Sequence, residues 1–432
     1  MKNEIDRDWF EERILERFLR YVRIDTASDR HSKGRPTTAG QWDLARMILE
    51  EPKTMGVRHA ELDDRCFLTA SLEPNPDAGP TGPPAIGFMA HMDTSEEVSG
   101  KNVRPRVRRT YNGKAIRLNA GIVLDPEEFP DLKRYTGKTV VTTDGTTLLG
   151  ADDKAGIAEI MTAAEYLLRH PEIPHGKIEL IFTPDEETGF GMDLFPLDRI
   201  ESRLCYTLDG SGEDVIETEC FEAYRVDVEF HGKSFHLGYA RGKLVNAVEM
   251  ASAFISMIPK EESPQATDGR YGYYCPLEIN GTVEAARTSV FIRDFDPREC
   301  LRRVAALRAV ARACEHVYPG GKIKVKQTRQ YSNMKAVLDR FPQVTEHLRE
   351  AVRAAGNEPE MHLIRGGTDG ARLAEKGIPT PNIFTGGYNY HSNLEWAALP
   401  AMVKASLTVV HLARIWGKVS GGSRSRKRTE SA

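Results

Sequence analysis

The stretch ADDKAGIAEIMTAAEYLLRHPEIPHGKIELIFTPDEETG, residues 151–189, shows how this chain is built. Ile157, Ile160, Met161, Ala164, Leu167 and Leu168 recur at helical spacing along one face, which predicts a helix over 152–169. KIELIFTP (177–184) is a short apolar run of the length of a buried strand, and it ends on acidic residues. Working outward, AIGFMAH (85–91) and RLCYTLD (203–209) are also buried strands that end in a histidine or an aspartate. Ahead of them, Phe10, Ile14, Phe18 and Val22, with Leu15 and Leu19 beside them, predict a first helix, and a second is expected from about Gln41 to Met55. Helices alternating with buried strands argue an α/β sheet covered by helices. Such sheets gather their ligands at the carboxyl ends of the strands, where these polar residues lie.

The character changes near residue 220. YRVDVEFHG (224–232) alternates as a half-buried strand, a helix follows at about 244–258, TSVFIRDFD (288–296) is strand-like, and a strong helix runs from Pro297 to about Val317. This is enough for a small α+β domain. After Tyr331 the α/β pattern resumes with a helix at 341–355, the strand TPNIFTG and a last helix around 399–416. The expected organisation is a catalytic domain in two segments, 1–219 and 329–418, interrupted by an inserted α+β domain at 220–328. EPNPDAGPTGPP (73–84) is expected to be a loop, and residues 419–432 a disordered basic tail.

A chain of 432 residues points to about two domains or one large one. Lys+Arg 59 against Asp+Glu 63 gives a net charge of −4, with no basic field to invite nucleic acid. No stretch approaches the ~20 apolar residues of a membrane span, and the charged N-terminus is no secretory signal. The 6 cysteines include no CxxC pair and read as reduced thiols. The expectation is a cytoplasmic globular protein.

Five potential metal ligands stand at or just after strand ends: His91, Asp152, Glu187, Asp209 and His391. Burying so many carboxylates without cations is severely costly, and two imidazoles with three carboxylates suit zinc. Two divalent ions bring +4 and the three carboxylates −3, so a bridging hydroxide completes neutrality. In this reading Asp152 bridges the ions, His91 and Asp209 hold one, and Glu187 and His391 hold the other. Asp93 orients the His91 imidazole, and Glu186, adjacent to a ligand but not one, is the general base and acid.

HMDT, LLGADDKAGIAEIM, FTPDEETG, YTLDG, RGGTDGARL, and PNIFTGG followed by NYHSNLEW closely resemble the peptidase T family of tripeptide aminopeptidases. That family belongs to a wider group of dizinc exopeptidases and deacylases that includes glutamate carboxypeptidase and succinyl-diaminopimelate desuccinylase. The likeness runs from about VRIDTASD (22–29) to the final helix. It implies a mixed-sheet zinc-exopeptidase domain with a smaller α+β lid. It also implies two Zn2+ per subunit (Co2+ or Mn2+ as substitutes), a possible homodimer, and a small peptide substrate with a free N-terminus, attacked by the bridging hydroxide. Position by position, the family's ligands fall on the same five residues, its acid/base on Glu186 and its supporting aspartate on Asp93. Its lid histidine falls on His236, as donor to the oxyanion of the intermediate. Arg293 in IRDFD, Arg365 in RGGTDG and Asn280 in INGT resemble its contacts to the substrate carboxylate.

Three departures stand out. The family's His-Pro-Gly is His236-Leu237-Gly238, the glycine after its last metal histidine is Ser392, and TDGRYGYYCPLEINGT differs from its usual lid text. These bear on preferred peptide length. The rival readings are a related dizinc amidohydrolase or dipeptidase acting on another amide, and a catalytically silent peptide-binding homologue.

Overall fold

The structure, a computed structural model, describes residues 5–75, 82–119 and 121–419. Part of the Pro/Gly loop (76–81) and residues 420–432 of the expected basic tail lie outside the described residues. The fold is mixed α/β, in two compact units: Met1–Thr218 with Val337–His362 and Thr368–Ala432, and Glu219–Ala336 with Leu363–Gly367.

The first unit is built on an 8-stranded sheet. Ile178–Thr183, Ile86–His91, Cys205–Gly210 and Asn382–Phe384 form a parallel series at its centre. Leu68–Leu72 and His59–Leu62 extend one side antiparallel. The central strands are buried at every position of Ile86–His91 and Ile178–Thr183, as a sheet covered on both faces requires. The helix Ala151–Arg169 packs on this sheet, and the helices Arg7–Tyr21 and Leu399–Trp416 pack on the helix. That helix is therefore buried nearly all round rather than along one stripe, with Leu168 on its exposed side. Its Glu165 meets Arg13 and Arg17 as ion pairs. Helix and sheet approach so closely at Gly156 that a Cβ there would lie 2.2 Å from the Leu208 carbonyl oxygen. Only glycine fits.

A second, 4-stranded sheet joins Gly387–Tyr388, Trp396–Ala398, Val140–Thr142 and Arg106–Arg108. Its core stacks Tyr388 on Trp396 and sets Tyr135 edge-on to both, with the Tyr135 hydroxyl 2.7 Å from Tyr388 Oη. These strands of two or three residues were not expected from the sequence. Among the described residues no helix is long and apolar enough to cross a membrane.

The second unit is an antiparallel sheet in the order Tyr273–Gly281, Ala285–Asp294, Glu222–His231, Lys322–Tyr331. Glu222–His231 alternates buried and open positions. Its inner face joins Met250 and Phe254 of the helix Ala247–Ser256 and Val304 and Leu307 of Pro297–Val317 in one core. Both helices start as their sequences dictate: Asn246 and Asp296 accept the N–H of Val248 and Arg298, and Pro297 opens the first turn. The unit runs to Ala336, beyond 328, because Lys322–Tyr331 pairs along Glu222–His231 and completes the sheet.

Candidate metal centre

Five segments of the first unit converge at the carboxyl ends of the central strands. His91 ends its strand and is 2% exposed, with Asp93 buried two residues on. Asp209 ends the next strand but one residue. Ile178–Thr183 runs into Asp185, whose φ of 59° swings the chain into the turn Glu186–Thr188. That unusual backbone is held by the Asp185 carboxylate, which accepts from Thr37 N at 2.9 Å, Thr37 Oγ1 at 2.5 Å and Gln41 Nε2 at 2.8 Å. At Asp152, a ψ of 103° interrupts the first turn of the helix Ala151–Arg169 and turns the residue out of helical register. His391, also at positive φ, lies in the loop between Gly387–Tyr388 and Trp396–Ala398.

The side chains form two sets of three donors that share Asp152: His91, Asp152 and Asp209, and Asp152, Glu187 and His391, each with ligand atoms within 4.8 Å of one another. His91 Nε2 lies 2.9 Å from Asp152 Oδ1 and 3.5 Å from Asp209 Oδ1. His391 Nε2 lies 3.2 Å from Asp152 Oδ2 and 3.0 Å from Glu187 Oε1. Asp93 joins the two sides: its carboxylate accepts the N–H of Glu186 at 3.0 Å and of Glu187 at 3.1 Å, and His91 Nδ1 stands 3.4 Å from Asp93 Oδ1. Glu186 belongs to neither set.

The electrostatics are those of an anion-rich pocket. Burial, then the Asp209 charge, pushes the Glu186 carboxyl well above the usual range. Burial and the Asp152 charge push Glu187 to about 7, and burial also raises Asp209. Burial acts the same way on Asp152, but the imidazoles of His391 and His91 overcome it and hold its carboxyl well below normal. The donors fit divalent cations. Each set brings one imidazole and two carboxylates to within 4.8 Å of one another, the mixed N and O donors that such ions take.

The other sequence candidates belong to the second unit. His236 is exposed beside Leu237, which is 77% exposed, and its ring lies 5.2 Å from that of Tyr239. Arg293 is buried, donates to the Tyr224 and Ile292 carbonyls, and lies over the Phe291 and Tyr331 rings. Arg365 donates to the carbonyls of Thr267, Gly269 and Tyr271. Asn280 is exposed near the end of Tyr273–Gly281.

Several residues around the centre were missed in the sequence. Asp153 accepts the His91 N–H at 3.1 Å, Asp369 accepts the Thr183 hydroxyl at 2.5 Å, and Glu97 lies 3.4 Å from His391 Nδ1. Glu395 accepts four backbone N–H groups around Asp152. An acid set in the apolar run LEWAAL was the available signal for Glu395; nothing marked the others apart from surface acids. The Ser392 hydroxyl donates to Asn389 O at 2.7 Å and accepts Leu394 N–H at 3.2 Å, so it braces its own loop.

The pattern of peptidase family M20/M25/M40 matches residues 142–415. Peptidase T of Listeria welshimeri is 44% identical over 407 residues, 94% of this chain and 98% of that protein. Two crystal structures share the fold over nearly all of both chains. Aminopeptidase PepT of Bacillus cereus has TM-score 0.73 at 24% identity, covering 94% of this chain and 99% of its own. A tripeptidase of Staphylococcus aureus has TM-score 0.74 at 20% identity, covering 95% and 99%.

Proposed function

The chain belongs to peptidase family M20/M25/M40, and from that premise we propose that it is a dizinc aminopeptidase releasing the N-terminal residue of tripeptides. At the coarser level it is a metallo-aminopeptidase. The observation that carries the finer reading is the pair of three-donor sets sharing Asp152, which is the arrangement a two-metal hydrolase needs. His91, Asp152 and Asp209 on one side and Asp152, Glu187 and His391 on the other would hold the ions, which would supply polarisation of a peptide carbonyl and a water acidified toward neutrality.

The protein's own groups do the rest. Asp152, held as a carboxylate between two imidazoles, spans the two sets. Asp93 orients His91 and, through two backbone N–H groups, fixes the turn that carries Glu186 and Glu187. Glu186, beside a ligand but outside both sets, takes the proton from the attacking water and returns it to the leaving amine. His236 donates to the carbonyl oxygen as charge grows on it, and Arg293, Arg365 and Asn280 recognise the peptide's terminal carboxylate. These four roles rest on the resemblance of their motifs. The internal hydrogen bonds of Arg365 give it the further job of tying 363–367 to the segment 267–271.

A panel of di-, tri- and tetrapeptides with free and acetylated amines, assayed with added zinc, cobalt or manganese, tests the reading. Cleavage confined to free-amine tripeptides supports it, and preference for dipeptides or N-acyl amino acids overturns it. In the same assay Glu186→Ala should retain two metal ions and lose ~10²-fold or more in turnover. Loss of an ion with little change in rate would exchange the roles of Glu186 and Glu187.

A further inference from the structure

We propose that Glu395 is a positioning residue that sets the carboxylate of Asp152 between its two donor sets. The inference rests on the reading that Asp152 serves two ions. The backbone leading to Asp152 cannot hold itself: Gly150 has a φ of 81°, and Asp152 is non-helical within the first turn. Helix starts leave their first N–H groups without intrahelical partners. Here one side chain gathers two of them, at Ala151 and Asp152, together with the two N–H groups just before the helix. Glu395 Oε2 accepts from Leu149 N at 2.7 Å and Gly150 N at 2.8 Å, and Oε1 from Ala151 N at 2.7 Å and Asp152 N at 3.2 Å. Glu395 is 1% exposed, so these N–H groups stand in for the water that a carboxylate otherwise binds.

The clamp has a particular anchorage. Glu395 adjoins the strand Trp396–Ala398, which pairs with Val140–Thr142 and with Gly387–Tyr388. It also closes the loop that carries His391. That loop is braced within itself by the Ser392 hydroxyl and by Asn389 Nδ2 donating to Leu394 O at 3.3 Å. One loop therefore supplies His391 and, four residues on, the carboxylate that pins the residue His391 faces. The Nε2–Oδ2 separation of 3.2 Å between His391 and Asp152 is held from both ends by the same segment. A carboxylate suits this task because it has acceptors for all four N–H groups. A carboxamide of equal size would place its NH2 donors against two of them.

The test is zinc titration of metal-free Glu395→Gln protein by calorimetry, beside the wild type. The expected result is a folded variant whose zinc affinity falls ~10–100-fold, as for loss of a group that orients a metal ligand. Its kcat should fall by a similar factor with KM little changed, and excess zinc should restore part of the rate. Wild-type zinc affinity with a lowered melting temperature would overturn the proposal and leave Glu395 a purely structural anchor. If the glutamine variant does not fold, Glu395→Asp carries the test: it keeps the charge but withdraws it by one methylene, and full-affinity zinc binding there overturns the proposal. Failure of both variants to fold, with zinc unable to rescue either, overturns it too. A wild-type protein that binds two zinc ions keeps the parent reading standing in each of these cases. One that binds none sinks both.

Discussion

His91 and His391 face the same carboxylate from opposite sides, 2.9 Å from Asp152 Oδ1 and 3.2 Å from Oδ2, yet one is 2% exposed and the other's side chain 40%. The His91 side is framed by the ends of adjacent parallel strands and backed by Asp93, itself buried. The His391 side is made of loops, and the acid behind its imidazole, Glu97, is half exposed and hydrogen-bonded to the Ser95 hydroxyl. The two sides have like donors and unlike support. A donor set on strand ends inherits its geometry from the sheet, whereas one on loops must be braced residue by residue, by Ser392, Asn389 and Glu395. With ions bound, exchange with solvent is expected to be faster on the open side than on the closed one.

The largest effect is expected where the halves meet. Asp152→Ala should strip ligands from both sides and lower kcat/KM by ~10³-fold or more, since metal polarisation supplies several kcal/mol. Full occupancy of either set by metal analysis would end the idea of a shared carboxylate. Next come the two histidines. His91→Ala and His391→Ala should each cost ~10²-fold in activity and weaken one ion. His91→Ala should also destabilise the metal-free protein in urea more than His391→Ala, by ~1–3 kcal/mol, because it leaves the fully buried Asp93 short of a partner, whereas the His391 side chain is itself 40% exposed. Equal stability losses would erase the distinction between the sides. Asp93→Asn should lower zinc affinity ~10–100-fold, as an amide cannot accept both turn N–H groups. The smallest effect belongs to Glu97→Gln, below about fivefold in zinc affinity, because an exposed pair is worth ~0.2–1 kcal/mol. A loss as large as that of Asp93→Asn would show the open side to be as rigidly backed as the closed one.

The parts of the fold that could be read in the sequence are those whose burial is periodic or continuous. Phe10, Ile14 and Phe18 mark the first helix, and AIGFMAH and KIELIFTP mark central strands because both faces are covered. Val140–Thr142, Gly387–Tyr388 and Trp396–Ala398 could not be read. They are too short to carry a period, and their partners lie far along the chain. The same division runs through the candidate site. Residues that end long buried strands, such as His91 and Asp209, announce themselves. Glu395 does not, since its meaning lies in four backbone groups some 245 positions away. The motif of Arg365 offers it as a substrate contact, and the sequence held no sign that its guanidinium also donates to neighbouring carbonyls.

Gly156 has a bearing on the spacing of the donors. It sits one helical turn past Asp152 and presses on the carbonyl of Leu208, the residue before Asp209. The distance between the shared carboxylate and its neighbour is thus gauged by two main chains in direct contact, with no side chain between them to flex. Metal ions of different radius and preferred geometry ask for different spacings between their ligands. In this protein the closeness of helix and strand beside the donor sets is allowed by an absent methyl group, so a residue that can bind nothing helps to fix where the donors stand.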